Sequence, residues 1–566
     1  MKILFFSPNS AIWRHLSAEI QISLELVANN HEVTFLSCDR NFSEFCVSMS
    51  AFGLTFDSSS EEKAKVCDRC IRTSKYINEI PFFENVSMPD LSAYDQEIFL
   101  AISEVNSTNW HQFEFAGMPI GKMAAYEFLL NNKIASLEIP EKLFPAYLSS
   151  LRYSMGILFF SQVYLAEHAF DTVIVYNRIY SVNNVFCRVA ESLGIPTYTL
   201  HAAGSSDNHY SKFSLYRDDL QALTINNSAE WAVTKQIALN KQESKLVVNH
   251  FRGLLSATSP WVYSSKFKGS PSLELRERMK IPINNKVLLL TTSSADEIFA
   301  IKLIGIDPIR TNLPVIFKSQ LDWIESVCKY VSSRDDLSVI VRIHPREFPN
   351  KRESIESSNG KKILDLLEKI SGPNIYVNLP GDNISLYDLA KTTNLLLTGN
   401  SSAGAELAVL EIPILCHERR NLTAFPEDLA FWATTKQEYF ELIPKLLILE
   451  KAPKQAILAT RWISFKSSRV ARPTRLSKES FLLLVESSLR RPAVKYDAKV
   501  PKSWIRFIYR ILFWSLNFKD NSEFNLVVER NLPGLHVLAE TPTIDSKLLS
   551  ESDVIQKIKK LLKYSN

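Results

Sequence analysis

Arg342-Ile343-His344-Pro345-Arg346-Glu347 sets a histidine between two arginines at the end of an apolar run, 337–343. That run reads as a strand. Pro345 disfavours helix at His344 and fixes the direction of the chain beyond it. A lone histidine is usually structural, but these neighbours suit a phosphate or diphosphate leaving group. An imidazolium can donate to phosphate oxygens as negative charge develops on them. Arg342 and Arg346 can grip the same oxygens through two parallel N–H groups. A second segment, Gly399-Asn400-Ser401-Ser402-Ala403-Gly404, joins an apolar run at 395–398 to a helical pattern at 405–410. A helix start offers unpaired N–H groups and a positive dipole end to an anion. The two serine hydroxyls add donors, and the glycines allow close backbone approach. Alone, the loop reads almost as readily as a helix cap.

The elements that must hold these residues alternate strand and helix. Runs at 2–7 and 31–37 flank a helical pattern at 13–29, a βαβ unit of the kind found in parallel sheets. The stretch 75–165 is mostly helical in pattern. Further strands are expected at 170–176 and 194–200, ending at Asn177-Arg178 and at His201. Turn signals between 258 and 285 mark a boundary. A second series follows, with strands at 287–292, 337–343, 374–378, 395–398 and 412–416. Ligand-binding groups in such sheets collect at the carboxyl ends of strands. The fold class is therefore α/β, with two parallel-sheet domains in tandem.

Several motifs carry a family resemblance together. They are Trp323 at a helix start, Arg342 to Glu347, Ile384-Ser385-Leu386-Tyr387-Asp388, Ser401-Ser402-Ala403-Gly404-Ala405-Glu406 and Ile412-Pro413. In these the chain resembles the C-terminal domain of bacterial capsule and surface-polysaccharide glycosyltransferases of the GT-B fold. The His-Pro and Ser-Ser pairs are also similar to those of polysialyltransferases, Kdo-transferring capsule enzymes and CDP-glycerol glycerophosphotransferases. The resemblance covers about 280–420 and extends more loosely toward the N-terminus. There Asn177-Arg178 resembles an Asn-Gly-Arg element, without its glycine, and Cys67/Cys70 resembles a CxxC of that group.

The resemblance implies two Rossmann-like domains facing a cleft. An acceptor-binding domain would span 1–265 with a helical insertion, and a donor-nucleotide domain 280–425. Helices at 426–494 would pack back across both, and a basic, aromatic extension would follow at 495–566. His344, Asn400, Ser401 and Ser402 would contact the donor phosphate with Arg342, Arg346 and Glu347 beside them, and Glu406 its ribose. Ser294, Asp296 and Glu297 would lie at the cleft, and Asn177 and Arg178 on the acceptor side. The implied reaction is an inverting, metal-independent transfer from a nucleotide-sugar to a saccharide or lipid-linked acceptor, with no cofactor. No Asp-x-Asp of the metal-dependent kind is present. The alternatives are a CDP-polyol phosphotransferase or a non-catalytic GT-B-like scaffold. Deprotonating the acceptor hydroxyl needs a base. His15, after the first strand, and His201 are the candidates; His15 also reads as a helix-surface residue beside Trp13.

Composition narrows the rest. Seven scattered cysteines argue against a disulfide framework. Cys67 and Cys70 form the only CxxC, and no second pair at similar spacing completes a zinc site. A structural or incidental pair fits better than zinc or redox chemistry. The N-terminal apolar run is too short for a signal peptide, and no stretch approaches the ~20 apolar residues of a membrane span. A cytoplasmic protein is expected. Residues 451–510 hold 15 Lys/Arg against three Asp/Glu, in a chain of net charge +4. This segment and the aromatic, arginine-striped 504–518 point to an anionic partner, with 495–518 lying on the inner face of the membrane. The same stretch also reads as a core helix. No nucleic-acid module is recognisable.

Overall fold

The computed structural model describes residues 1–566 except 79, 81, 204–211, 218–223, 258–261, 307–309, 311, 351–354, 400, 421–423, 474–522, 539–550 and 563–566. The first strand, β1 (Lys2–Ser7), has Ile3, Leu4, Phe5 and Phe6 fully buried. A strand covered on both faces needs such a continuous apolar run, as central strands of parallel sheets do. Around it lie β2 (Glu32–Ser37), β3 (Phe83–Ser87), β4 (Thr172–Tyr176), β5 (Thr197–Ala203) and β6 (Lys212–Tyr216).

A second set comprises β7 (Lys286–Thr291), β8 (Leu337–Arg342), β9 (Ile375–Asn378), β10 (Leu395–Thr398), β11 (Ile414–Cys416) and β12 (Phe431–Trp432). A short β13 (Arg472–Pro473) follows. The first sheet runs β3-β2-β1-β4-β5-β6-β13 and the second β9-β8-β7-β10-β11-β12. The second is parallel throughout. The first is parallel from β3 to β5, then antiparallel at β6 and β13. Both follow the Rossmann order, in which the chain reverses direction across the sheet beside the first strand of each set. The chain thus has the two-domain GT-B architecture. Ligands in such sheets bind beyond the carboxyl ends at that reversal, between β1 and β4 and between β7 and β10.

One expectation needs correction. The segment 83–87 lies in the stretch read as helical, yet it is an edge strand with half-buried Phe83 and Val86. Too few of its residues are apolar to signal a strand without its neighbour β2. After β7, a helix Ala295–Leu303 begins and carries Asp296 and Glu297.

That helix packs against the first domain's helix Tyr126–Asn132. Ala300 and Ile304 share a core with Leu129, so apolar packing fixes the two domains against each other beside the cleft. The connection into the second domain is held too. Asp388 accepts N–H bonds from Lys268 (3.1 Å), Gly269 (3.0 Å) and Ser270 (3.2 Å). After the second sheet, a helix Pro453–Ser468 returns across both domains. Its Trp462 and Phe465 lie 5.1 and 5.6 Å from the Trp231 ring, and β13 then rejoins the first sheet. Among the described residues, no helix is long and apolar enough to cross a membrane. The segment 495–518 lies outside the described residues.

Candidate active site

β8 ends at Arg342, and the backbone N–H of His344 donates to Thr292 Oγ1 at 2.8 Å. His344 caps a short turn, Pro345–Glu347, where its Nδ1 accepts the Arg346 N–H at 3.3 Å. An Nδ1 that accepts leaves the ring proton on Nε2. Burial, and then the Arg346 charge, push the His344 pKa down to about 3. The ring is therefore a neutral imidazole with Nε2–H as its donor, not the imidazolium expected from the sequence.

His344 faces a cavity of about 130 Å³. Arg342, Tyr263, Tyr387, Ser401, Ser402 and Glu406 share its wall. The space is on the scale of a phosphate and its immediate neighbours rather than a whole nucleotide-sugar. Arg342 is fixed by Asn378 and by the Ile384 carbonyl at 3.1 Å, and burial pushes its pKa down to about 10. Ser402 is exposed at the start of the helix Ala403–Ala408, and Ser401 Oγ accepts the Ala403 N–H at 3.4 Å. Glu406 accepts from the Tyr387 hydroxyl at 2.7 Å, and burial raises the pKa of both groups. Tyr263 and Tyr387 have no role in the sequence reading. Tyr387 lies within a motif quoted for the resemblance, so a signal existed; Tyr263 stands alone near a boundary and gave none. Asn400 lies outside the described residues.

The other residues expected at the donor form a separate polar bridge. Arg346 is buried against Asp296 at 2.6 Å and Glu297 at 3.4 Å, and reaches the Leu130 carbonyl of the first domain at 3.4 Å. Its fork is engaged by protein, which corrects the expectation of a phosphate grip. Glu347 is likewise engaged, accepting from Ala295 N at 3.1 Å and from Ser357 Oγ. Ser294 Oγ donates to Asp296 Oδ1 at 2.5 Å. Burial raises the Glu297 pKa against the pull of Arg346. Ser294, Asp296 and Glu297 thus adjoin the interdomain contact, held mainly by one another and by Arg346.

On the first domain, Asn177 takes a left-handed conformation, φ +56°, which asparagine tolerates better than most residues. Its N–H donates to Leu200 O at 3.0 Å, so it shapes the turn after β4. Arg178 does not present its guanidinium to the cleft. It is buried on Glu191, at 2.7 Å for one contact, and on Thr197 at 2.8 Å, near the amino end of β5. A buried arginine is satisfied by the nearest carboxylate, and Glu191 supplies it.

His15 stacks on Tyr176 with ring centroids 3.9 Å apart. It lines a cavity of about 710 Å³ that also meets Arg346 and Tyr180. Burial, His201 and Arg14 push its pKa down to about 3. His201 stands 5.5 Å from Tyr176 on the same ring system. Its Nδ1 lies 2.7 Å from the Ala202 carbonyl and must donate to it. Its Nε2 is then the unprotonated nitrogen, and burial lowers its pKa. Both rings are neutral, and His201 has the proton arrangement a general base needs.

Cys67 and Cys70 face a small apolar cluster with Cys46, Met49 and Ala11. Cys70 Sγ accepts the Ala11 N–H at 3.3 Å, and burial raises the thiol pKa values of all three cysteines. Among the described residues, no group of three or more His, Cys, Asp or Glu could hold a metal ion. The pair packs against Ala11, in the segment that leads into the helix Trp13–Ala28 carrying His15.

No family model matches the sequence, and no curated relative matches it. Among solved structures, the chain is similar to Thermosulfurimonas dismutans KpsC, a beta Kdo 2,4 transferase. Identity is 12% over 52% of this chain and 79% of that one, with a TM-score of 0.30. It is similar to S. aureus MnaA in a co-structure with UDP, at 12% identity over 88% and 98%, TM-score 0.28. It is also similar to Arabidopsis thaliana UGT89C1 complexed with UDP, at 10% identity over 91% and 100%, TM-score 0.27. Similarity at this level names no substrate for this chain.

Proposed function

We propose that the chain is an inverting, metal-independent glycosyltransferase that moves a sugar from a nucleotide-sugar to a surface-polysaccharide acceptor. One observation carries the reading. A neutral histidine with its Nε2–H available shares a phosphate-sized cavity with Ser401, Ser402 and Arg342, beyond the carboxyl ends of a Rossmann sheet. In the proposed step the bond from the sugar's anomeric carbon to the donor phosphate breaks as the acceptor oxygen bonds to that carbon. His344 Nε2–H and the serine hydroxyls receive the charge left on the phosphate. In this reading Glu406, in the wall of the same cavity, binds the donor's ribose. The acceptor proton goes to a base on the first domain, where His201 has the suitable tautomer and His15 lines the larger cavity.

A melting-temperature screen with CMP, CDP, UDP and GDP tests the reading. A ligand present at 100 times its Kd stabilises the native state by about 2.7 kcal/mol. One nucleotide is expected to raise the melting temperature clearly above the others. A preference for CDP would be followed by assaying CDP-linked polyols as donors. A chain stabilised by none of the four would overturn the assignment.

A further inference from the structure

The 710 Å³ cavity beside His15 does not end at the cleft. A second cavity, of about 590 Å³, adjoins it within the first domain. The two share Val47, Ser50, Ala51, Glu127, Leu130 and Asn131 as wall residues, so they lie side by side. Their characters differ. The outer part carries Arg14, His15 and Arg346. The inner part is walled by Phe42, Phe45, Phe56, Phe128 and Tyr153. The same wall also carries Asn9, Asn132, Lys133 and Ser150, so polar partners exist at some points; a hydroxyl set against the rings alone would be desolvated at a cost of about 1–3 kcal/mol.

Glu127 stands at the junction. One carboxyl oxygen accepts the Ser181 N–H at 2.8 Å. The other is buried and has no hydrogen-bond partner. Burial pushes the Glu127 pKa up to about 7. A carboxyl oxygen left without a partner between a polar cleft and an apolar cavity leaves a hydrogen bond unmade that a ligand hydroxyl would complete, accepting from the protonated carboxyl or donating to the ionised one.

We propose that the two adjoining cavities together form the acceptor site, and that the acceptor carries its reactive hydroxyl on an apolar body. The hydroxyl meets Glu127, and the alkyl or aromatic body fills the cavity among Phe42, Phe45, Phe56, Phe128 and Tyr153. The proposal rests on the glycosyltransferase reading and selects one arm of it, an acceptor with a lipid-like or aromatic group next to the sugar.

The test is equilibrium titration of the full chain with methyl, butyl, hexyl and octyl β-glucosides below their micelle concentrations. The glucose is a polar carrier, and chain length is the variable. Affinity is expected to rise about fourfold for each added methylene that enters the cavity, the value for a buried CH₂ of ~0.8 kcal/mol. Phe45→Ser and Phe56→Ser should each flatten that dependence. Glu127→Gln should weaken every member by the same several-fold factor and leave the slope alone. Melting curves establish that each variant is folded, and two phenylalanine variants guard against loss of either one. A native protein whose affinity ignores chain length overturns the proposal. So does a slope that survives both phenylalanine substitutions, or a Glu127→Gln variant that binds as well as the native chain. No nucleotide is present, so these outcomes are independent of whether His344 serves a leaving phosphate.

Discussion

His344 has two nitrogens with different duties, and two substitutions separate them. Nδ1 accepts the Arg346 N–H at 3.3 Å and shapes the local turn. Nε2–H is the donor assigned to the leaving phosphate. In His344→Asn, the side-chain oxygen reaches about as far as Nδ1, so the turn is kept and the phosphate donor is lost. In His344→Gln, the amide nitrogen reaches about as far as Nε2, so the donor is kept and the turn bond is lost. Removing one donor to developing negative charge costs about 10²–10³ in kcat, or about 2.7–4 kcal/mol. The Arg346 N–H bond contributes only about 0.5–1.5 kcal/mol, because it is a neutral pair. The expected order is therefore native, then Gln within about tenfold, then Asn lower by a hundredfold or more. The assay is nucleotide release with the donor selected by the melting screen, at saturating donor so that kcat is read rather than KM. An Asn variant as active as the native protein, with an inactive Gln variant, would refute the reasoning and make His344 a cap.

Arg346→Met should destabilise the chain by about 3–5 kcal/mol, because it leaves Asp296 buried without its partner. Arg346→Met with Asp296→Leu should recover most of that in urea unfolding; a double variant no more stable than the single would mean the pair does not act as a unit. Arg178→Met should lower stability by about 1–3 kcal/mol while leaving nucleotide binding unchanged, since its guanidinium holds Glu191 and Thr197. A large fall in donor affinity would return Arg178 to the cleft. Stability should peak near pH 6.5. His15 and His344, with pKa values of about 3, and His417, at about 4, are neutral when folded but take up protons when unfolded below about 6.5, so acid destabilises. Glu19 at about 8 and Glu127 at about 7 are protonated when folded and ionise on unfolding, so their contribution is lost as pH rises through those values. Urea midpoints from pH 4 to 9 would show the maximum, and a monotonic rise toward pH 9 would refute it.

Much of the fold was legible because central parallel strands are buried on both faces. Lys2–Ser7 and Lys286–Thr291 must be apolar at successive positions, and a run of that kind is visible in any sequence. β3 is edge-like and half-buried, and β12 and β13 are two residues each, too short for periodicity to register. β6 was missed for another reason. Its antiparallel pairing with β5 is a tertiary fact that no local pattern in Lys212–Tyr216 encodes. In the site, His344, Ser401 and Ser402 were legible because their chemistry lies in short contiguous motifs. Glu127 was not, because it is one acid on a short helix, Tyr126–Asn132, and its meaning depends on a cavity lined by residues between 42 and 56 and between 146 and 153.

The arginines show where residue type stops being informative. Arg342 ends β8, Arg346 and Arg178 stand just after a strand, and each was read as facing a ligand. What separates them is the charge of the nearest protein acceptor. Arg342 meets Asn378 and a carbonyl, both neutral, and keeps a place in the cavity wall. Arg346 and Arg178 meet carboxylates from Asp296 and Glu191, and a charge-assisted pair outcompetes a site that fills only when ligand binds. Arg346 nonetheless retains a functional consequence. It lies two residues after His344, lines the acceptor-side cavity and binds the Leu130 carbonyl across the domain boundary. A shift of the domains that stretched the Leu130 contact would pull on the same turn that holds His344 Nδ1.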